Sequence, residues 1–212
     1  LMMNDARWER LLSPIRVGRT EIRNRALSTA HGTGFGRDGT VNDRHIAYHV
    51  ARAQGGIGLI VMEATSIDGA SLSVTTGMRT IDASSDAVIP GYRRIAAAVH
   101  AEGASIFTLL SHSGRNAVMA RDGRPPVAPS PIPMDRTRDI PHELEEDEIQ
   151  EIVRSFATAA VRCREGGLDG VELSFTHGNL VQQFLSPYSN FRTDRYGGSE
   201  DNRLRLAREV LE

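Results

Sequence analysis

The sequence predicts an α/β fold, about the first four units of a (β/α)8 TIM barrel, and three observations carry this. One unit recurs, in which a helical pattern stops at glycine and an apolar strand follows at once. The strands are apolar enough to be buried on both faces, as parallel strands flanked by helices are. Polar residues gather just after each strand, at His31-Gly32, Glu63-Ala64-Thr65, Ser111-His112 and Ser174 to His177. In a barrel those strand ends converge on one mouth. A doubly wound sheet shares the element order, but its nucleotide loop, G-x-G-x-x-G opening a helix, is not matched. Here Gly32-Thr33-Gly34-Phe35-Gly36 runs into a second loop. A whole barrel takes about 250 residues. The 212 residues are therefore expected to be the N-terminal half of one domain, cut within the fourth helix.

The elements follow in order. A strand is predicted at ALSTAHG, after the basic turn Arg23-Asn24-Arg25. Asn42 and Asp43 can cap a helix carrying Ile46, His49 and Val50, which stops at Gly55-Gly56 before the strand IGLIVMEA. Ile95, Val99 and neighbouring alanines form a second helix, stopped at Gly103 before ASIFTLLSH. Ile149, Ile152, Val153, Phe156, Ala160 and Cys163 trace one face of a third, stopped at Gly166-Gly167 before LDGVELSF. A fourth helix opens at Ser199, with Asn202 three residues on.

Composition narrows the function classes. A net charge of −2 with both signs interspersed makes no case for nucleic acid or an anionic membrane. No apolar run approaches the roughly 18 residues of a membrane span. The start, Leu-Met-Met-Asn, has no charged segment leading into an apolar one, so no signal peptide is read and a cytoplasmic protein is expected. Cys163, the single cysteine, rules out an internal disulfide and is read as a small buried hydrophobe. His45 and His49 have the i, i+4 spacing of a zinc pair, but Ile46-Ala47-Tyr48 between them lacks the glutamate of a zinc protease, so they are read as ordinary helix residues. Glu143, Glu145, Glu146, Asp147 and Glu148 are read as solvated charges at a helix start, where the macrodipole favours carboxylates. No metal site is expected.

The most informative stretch runs from Gly170 to Arg203, GVELSFTHGNLVQQFLSPYSNFRTDRYGGSEDNR. It reads as a short strand, a loop of about twenty residues, and a capped helix; long polar loops in compact domains are usually functional. QFLSPYSNFRTDRYGGSEDNR closely resembles the signature of the old yellow enzyme family, the FMN-dependent oxidoreductases. HSGR at His112 to Arg115 is similar to that family's H-x-G-R after the third strand. LLSPIRVGRTEIRNR resembles its opening, a hairpin closing the barrel bottom, and Pro141-His142-Glu143-Leu144 resembles the 2,4-dienoyl-CoA reductase and trimethylamine dehydrogenase branch.

That resemblance implies FMN across the barrel mouth, lined by Thr29, Ala30, His31 and Gly32 from the first strand and Ala64 from the second. Short side chains suit this, because a flat ring approaches backbone only where side chains are small. Leu109 falls where the family carries a Gln to the flavin, and Gly32 where one member has a cysteine linked to FMN, so the flavin is expected to be non-covalent. His177 is expected to donate to a substrate oxygen, with Ser174 beside it. Asn179 replaces a proton-donating tyrosine, and an amide does not ionise near neutral pH. Gln183, Arg192, Asp194 and Tyr196 are expected to brace the loop, with any Arg192-Asp194 pair exposed and of little weight. Arg121, Asp122, Arg124 and the prolines from Pro125 to Pro133 are expected to form a loop over the mouth.

The implied activity is hydride transfer through flavin N5, with NAD(P)H as reductant and an activated C=C bond as first-choice substrate. Oxidative N-demethylation of a small amine or betaine is the second choice. A half-barrel that binds no flavin is the third. The expected partner is a small molecule, with homo-oligomerisation left open. The [4Fe–4S] cluster of this branch could belong only to a downstream region, since one cysteine cannot ligate it.

Overall fold

The computed structural model describes residues 7–36, 38–69, 80–117, 125–134 and 138–212. A short helix α1 (Glu9–Leu12) leads into an antiparallel hairpin, β1 (Ile15–Val17) and β2 (Thr20–Ile22), turned at Gly18. β3 (Leu27–Ser28), α2 (Asp43–Gln54), β4 (Leu59–Ser66), β5 (Ile81–Asp82), α3 (Ile89–Ala101) and β6 (Ser105–Ser111) follow. β7 (Val127–Ala128) and β8 (His142–Glu143) make a small parallel pair ahead of α4 (Glu146–Glu165), β9 (Gly170–Leu173), α5 (Leu180–Leu185) and α6 (Glu200–Leu211).

The sheet order speaks against a doubly wound sheet. β3, β4, β6 and β9 lie side by side in chain order, all parallel, with β5 added beside the end of β4. A doubly wound sheet reverses direction part-way; the described strands do not. Helices α2, α3 and α4 pack against one another and on the sheet from one side. Their apolar stripes meet Ile60 and Met62 of β4, Ile106 and Leu110 of β6, and Val171 and Leu173 of β9 in one core. Burying each of the larger aliphatic or aromatic side chains there contributes about 1.5–3 kcal/mol. The opposite face carries Leu27, Val61, Phe107 and Leu109, and Leu27 on it is 47% exposed.

The ends are set by local chemistry. Asn42 caps α2, its side chain accepting from the Arg44 and His45 backbone N–H groups at 3.1 and 3.3 Å. Ser199 caps α6 by accepting from Asn202 N at 3.2 Å. After α2, α3 and α4 the chain passes through Gly56, Gly103 and Gly167 at positive φ, the left-handed turn that ends a helix without a Cβ penalty. Beneath the N-terminal ends of the strands, Arg23 donates to the carbonyls of Ala53, Ile57 and Glu102, tying the ends of α2 and α3 together. Thr20 of the hairpin donates to the Asp169 carbonyl just ahead of β9.

Two expectations need adjustment. The first strand is only Leu27–Ser28, because the backbone leaves the sheet at Thr29. The long loop after β9 contains α5, whose Leu180, Val181 and Phe184 are buried. His45 and His49, read as ordinary helix residues, are both buried, at 0% and 1% exposure. Cys163 lies in the core, where burial pushes its thiol up to about 12, so it is not a nucleophile at neutral pH. Among the described residues no helix is long and apolar enough to cross a membrane, and no group of three or more His, Cys, Asp and Glu side chains could hold a metal.

Candidate active site

The C-terminal ends of β3, β4, β6 and β9 lie along one edge of the sheet, in that order. Ala64 and Leu109 are direct partners across β4 and β6, and Leu109 pairs in turn with Glu172 of β9. Register thus makes a continuous row of Ala64, Leu109 and Glu172 on the face away from the helices, with the first two half-buried and Glu172 exposed. Glu172 did not stand out in the sequence, where it is one acidic residue in a strand.

Thr29, Ala30, His31 and Gly32 continue from β3 at the same edge; all are exposed except the half-buried Ala30. His31 is already engaged within the chain. Its Nδ1 lies 2.8 Å from the Thr29 carbonyl, which can only accept, so Nδ1 carries the hydrogen. Nε2 lies 2.5 Å from the Tyr48 hydroxyl. A ligand beside His31 would therefore meet a ring held in place rather than two free nitrogens.

The turn after β9 is built differently from the first three. His177 has φ +58°, the left-handed region that few non-glycine residues occupy, and its ring is exposed with Nδ1 2.9 Å from the Thr176 hydroxyl. Neighbouring side chains hold that turn: Asn116 Nδ2 donates to the carbonyls of His177 and Gly178, and Gln183 Nε2 donates to the carbonyls of Gly178 and Ser113. Gln183 also fills the space beside Gly114, which sits at φ +58°, so a side chain in place of this glycine of the His112–Arg115 motif would be strained and would displace Gln183. His112 accepts the Gly114 N–H on Nδ1 at 3.0 Å and faces Asp68 through Nε2 at 3.4 Å.

Ser174 and His177 share the turn but not their accessibility: Ser174 is 3% exposed. Asn179 donates its two amide hydrogens to Ser174 Oγ and Ser111 Oγ at 3.0 and 3.2 Å. Ser174, accepting there, keeps its own hydroxyl hydrogen to donate.

Residues Arg121, Asp122 and Arg124 lie outside the described residues. The prolines that follow are not free of the body, since Arg192 donates to the Pro129 carbonyl and Ser130 accepts from Phe191 N. Arg192 corrects the expectation of an exposed pair, because it is only 8% exposed.

A model of the NADH:flavin oxidoreductase / NADH oxidase family matches residues 10–212. The chain belongs to this family. It is 46% identical over 201 residues to a metal reductase of Desulforamulus reducens, covering 95% of this chain and 30% of that protein. It is 37% identical over 213 residues to a multifunctional alkene reductase/demethylase of Caballeronia cordobensis, covering 99% of this chain and 31% of that protein. Among solved structures it superposes on morphinone reductase with a TM-score of 0.87 at 31% identity, covering 95% of this chain and 57% of that one. The chain therefore spans between about a third and just over half of the length of these family relatives.

Proposed function

We propose that this chain is the N-terminal half of an FMN-binding (β/α)8 barrel in an FMN-dependent NAD(P)H oxidoreductase. The strand edge supports this best: the first three of four consecutive parallel strand ends present small or apolar residues, Ala30, Gly32, Ala64 and Leu109, along one edge. A flat ring system fits there, because short side chains let it approach backbone, and the β1–β2 hairpin under the opposite strand ends is suited to closing the barrel bottom. Bound FMN would supply hydride transfer at its N5. The chain's own contribution is to seat the ring along residues 29–32 and Ala64, with Leu109 as an apolar wall, and to present His177 to a substrate oxygen.

The first-choice reaction is reduction of an activated C=C bond with NAD(P)H. Oxidative N-demethylation of a small amine is the second, and one observation favours it. Asn179 commits both amide hydrogens to serines and has no ionisable proton for a substrate carbon, whereas amine oxidation needs no such donor. One relative's description names both chemistries. A half-barrel that takes up no flavin is the reading to be eliminated.

The deciding experiment is the visible spectrum of the full-length protein after FMN addition and desalting. A retained flavin band that bleaches anaerobically with NADH or NADPH is expected; a colourless, folded protein would reject the proposal. Turnover of an enone against an N-methylated amine then separates the two reactions. His177→Ala is expected to lower kcat/KM about a hundredfold, the effect of removing one donor to a developing oxyanion, with flavin content unchanged. An unaltered kcat/KM would remove His177 from the chemistry.

A further inference from the structure

The loop that leaves β3 has to hold its shape without sheet pairing, and four contacts give it one. Thr33 donates its backbone N–H and its hydroxyl to Glu63 Oε2, at 2.5 and 2.6 Å. The Phe35 carbonyl accepts from Asn42 Nδ2 at 2.7 Å. The Phe35 ring meets His45 and Tyr48 edge to face, with the Arg44 guanidinium over it at 4.3 Å. His31 is bonded to Tyr48. All of these partners except Glu63 belong to the first two turns of α2 or its cap.

Glu63 is the point where the loop, the helix and the second barrel strand meet. It sits at the β4 irregularity between Met62 and Ala64, where the pairing with β6 shifts register, and is 3% exposed. Its other oxygen, Oε1, lies 2.9 Å from His45 Nε2. The backbone N–H of Asn42 donates to His45 Nδ1 at 3.1 Å, which leaves Nε2 to carry the hydrogen and donate. The carboxylate is thus ringed by donors alone: two from Thr33 and one from His45. Burial pushes its carboxyl upward, but these donors outweigh that and hold it below the usual carboxylate range. An amide could not replace it, because one side of an amide is itself a donor.

We propose that Glu63 is a positioning residue for the flavin site: its buried carboxylate locks the loop from Thr29 to Gly36 against α2, and so sets the loop backbone at the right distance from Ala64, the next residue in the chain. This rests on the flavin reading given above. It adds a residue that the resemblance does not assign, and whose partner His45 lies 18 positions away in sequence.

The test uses Glu63→Gln in the full-length protein, with two readouts. The first is hydrogen exchange in the absence of flavin. The amides of residues 33–35 are expected to exchange at least about tenfold faster, while those of α3 and α4 keep their rates; opposing one donor with another costs that much locally. The second is FMN itself. The dissociation constant from fluorescence quenching is expected to rise about tenfold or more, and the visible circular dichroism of bound flavin to change as the loop relaxes. Thr33→Val keeps the backbone donor and loses the hydroxyl. It is expected to move both readouts in the same direction by less, and it remains informative where the glutamine variant does not fold. Uniformly faster exchange through α3 and α4, or unchanged exchange at 33–35, overturns the role of Glu63. Unchanged FMN affinity and dichroism overturn its link to the flavin. Wild-type protein that takes up no FMN overturns the site reading instead, a result the exchange data do not imitate.

Discussion

Arg192→Ala is expected to destabilise the full-length protein by about 4 kcal/mol, measured by urea unfolding at neutral pH. The guanidinium spends every edge. Nε and Nη2 engage Asp194 as a fork, with Nε 3.1 Å from each carboxylate oxygen, while Nη1 donates to the carbonyls of Leu144 and Pro129 at 2.5 and 3.1 Å. Those carbonyls follow directly on β8 and β7, so one side chain closes the small parallel pair, the entry to α4 and the loop after β9 on one another. Truncation strands two buried acceptors, each costing about 1–3 kcal/mol, and leaves Asp194 without its partner. Burial pushes the Asp194 carboxyl up, but Arg192 and the Tyr196 N–H more than reverse this, so the pair is favourable in the folded chain. Arg192→Lys is expected to recover little, because an ammonium cannot serve a carboxylate fork and two carbonyls at once. A loss under about 1 kcal/mol would return Arg192 to the class of exposed pairs.

What the sequence made legible was the part of the fold with local causes. Asn42 and Ser199 announce helix starts by side-chain chemistry, and the glycines after α2, α3 and α4 announce their ends. Four apolar runs gave four parallel strands in chain order. The short helix α5 was hidden because three buried apolar residues in six positions are too few to show a period. The burial of Arg192 was hidden for the opposite reason: an arginine between polar loop residues looks solvated, and only the remote carbonyls of Pro129 and Leu144 make it a core residue. At the candidate site, the strand-end residues could be named as candidates from sequence because a parallel α/β sheet carries its polar loops at the strands' C-terminal ends. The pairing of His45 with Glu63 could not, since no spacing rule links a helix to the strand that follows it. The commitment of Asn179 to two serines likewise depends on Ser111, 68 positions earlier.

Acid is expected to weaken this fold through one histidine. His49 is 1% exposed, stacks edge to face on Tyr48, and neither of its ring nitrogens meets a hydrogen-bond partner among the described residues. Burial, then the charges of Arg52 and His45, lower its pKa from 6.5 to about 4, with Glu63 pulling weakly the other way. Between those values the unfolded chain takes up a proton that the folded chain refuses, so stability falls as pH drops from 6.5 towards 4 and is fully present above that window. At about 1.4 kcal/mol per pH unit across that window, the loss is on the order of 3 kcal/mol. Glu63 and Asp194, whose folded carboxyls are held low, add their own losses at still lower pH. The His49→Phe variant isolates the histidine, because those carboxylates remain in it and the ring contact with Tyr48 is kept. At pH 7 it is expected to be at least as stable as wild type, since an apolar ring replaces a polar one with no partner. As pH falls to 4 its advantage should grow by about 3 kcal/mol. Parallel stability curves for the two proteins would show instead that the buried imidazole is protonated freely, and that it has an acceptor which the fold as described does not provide.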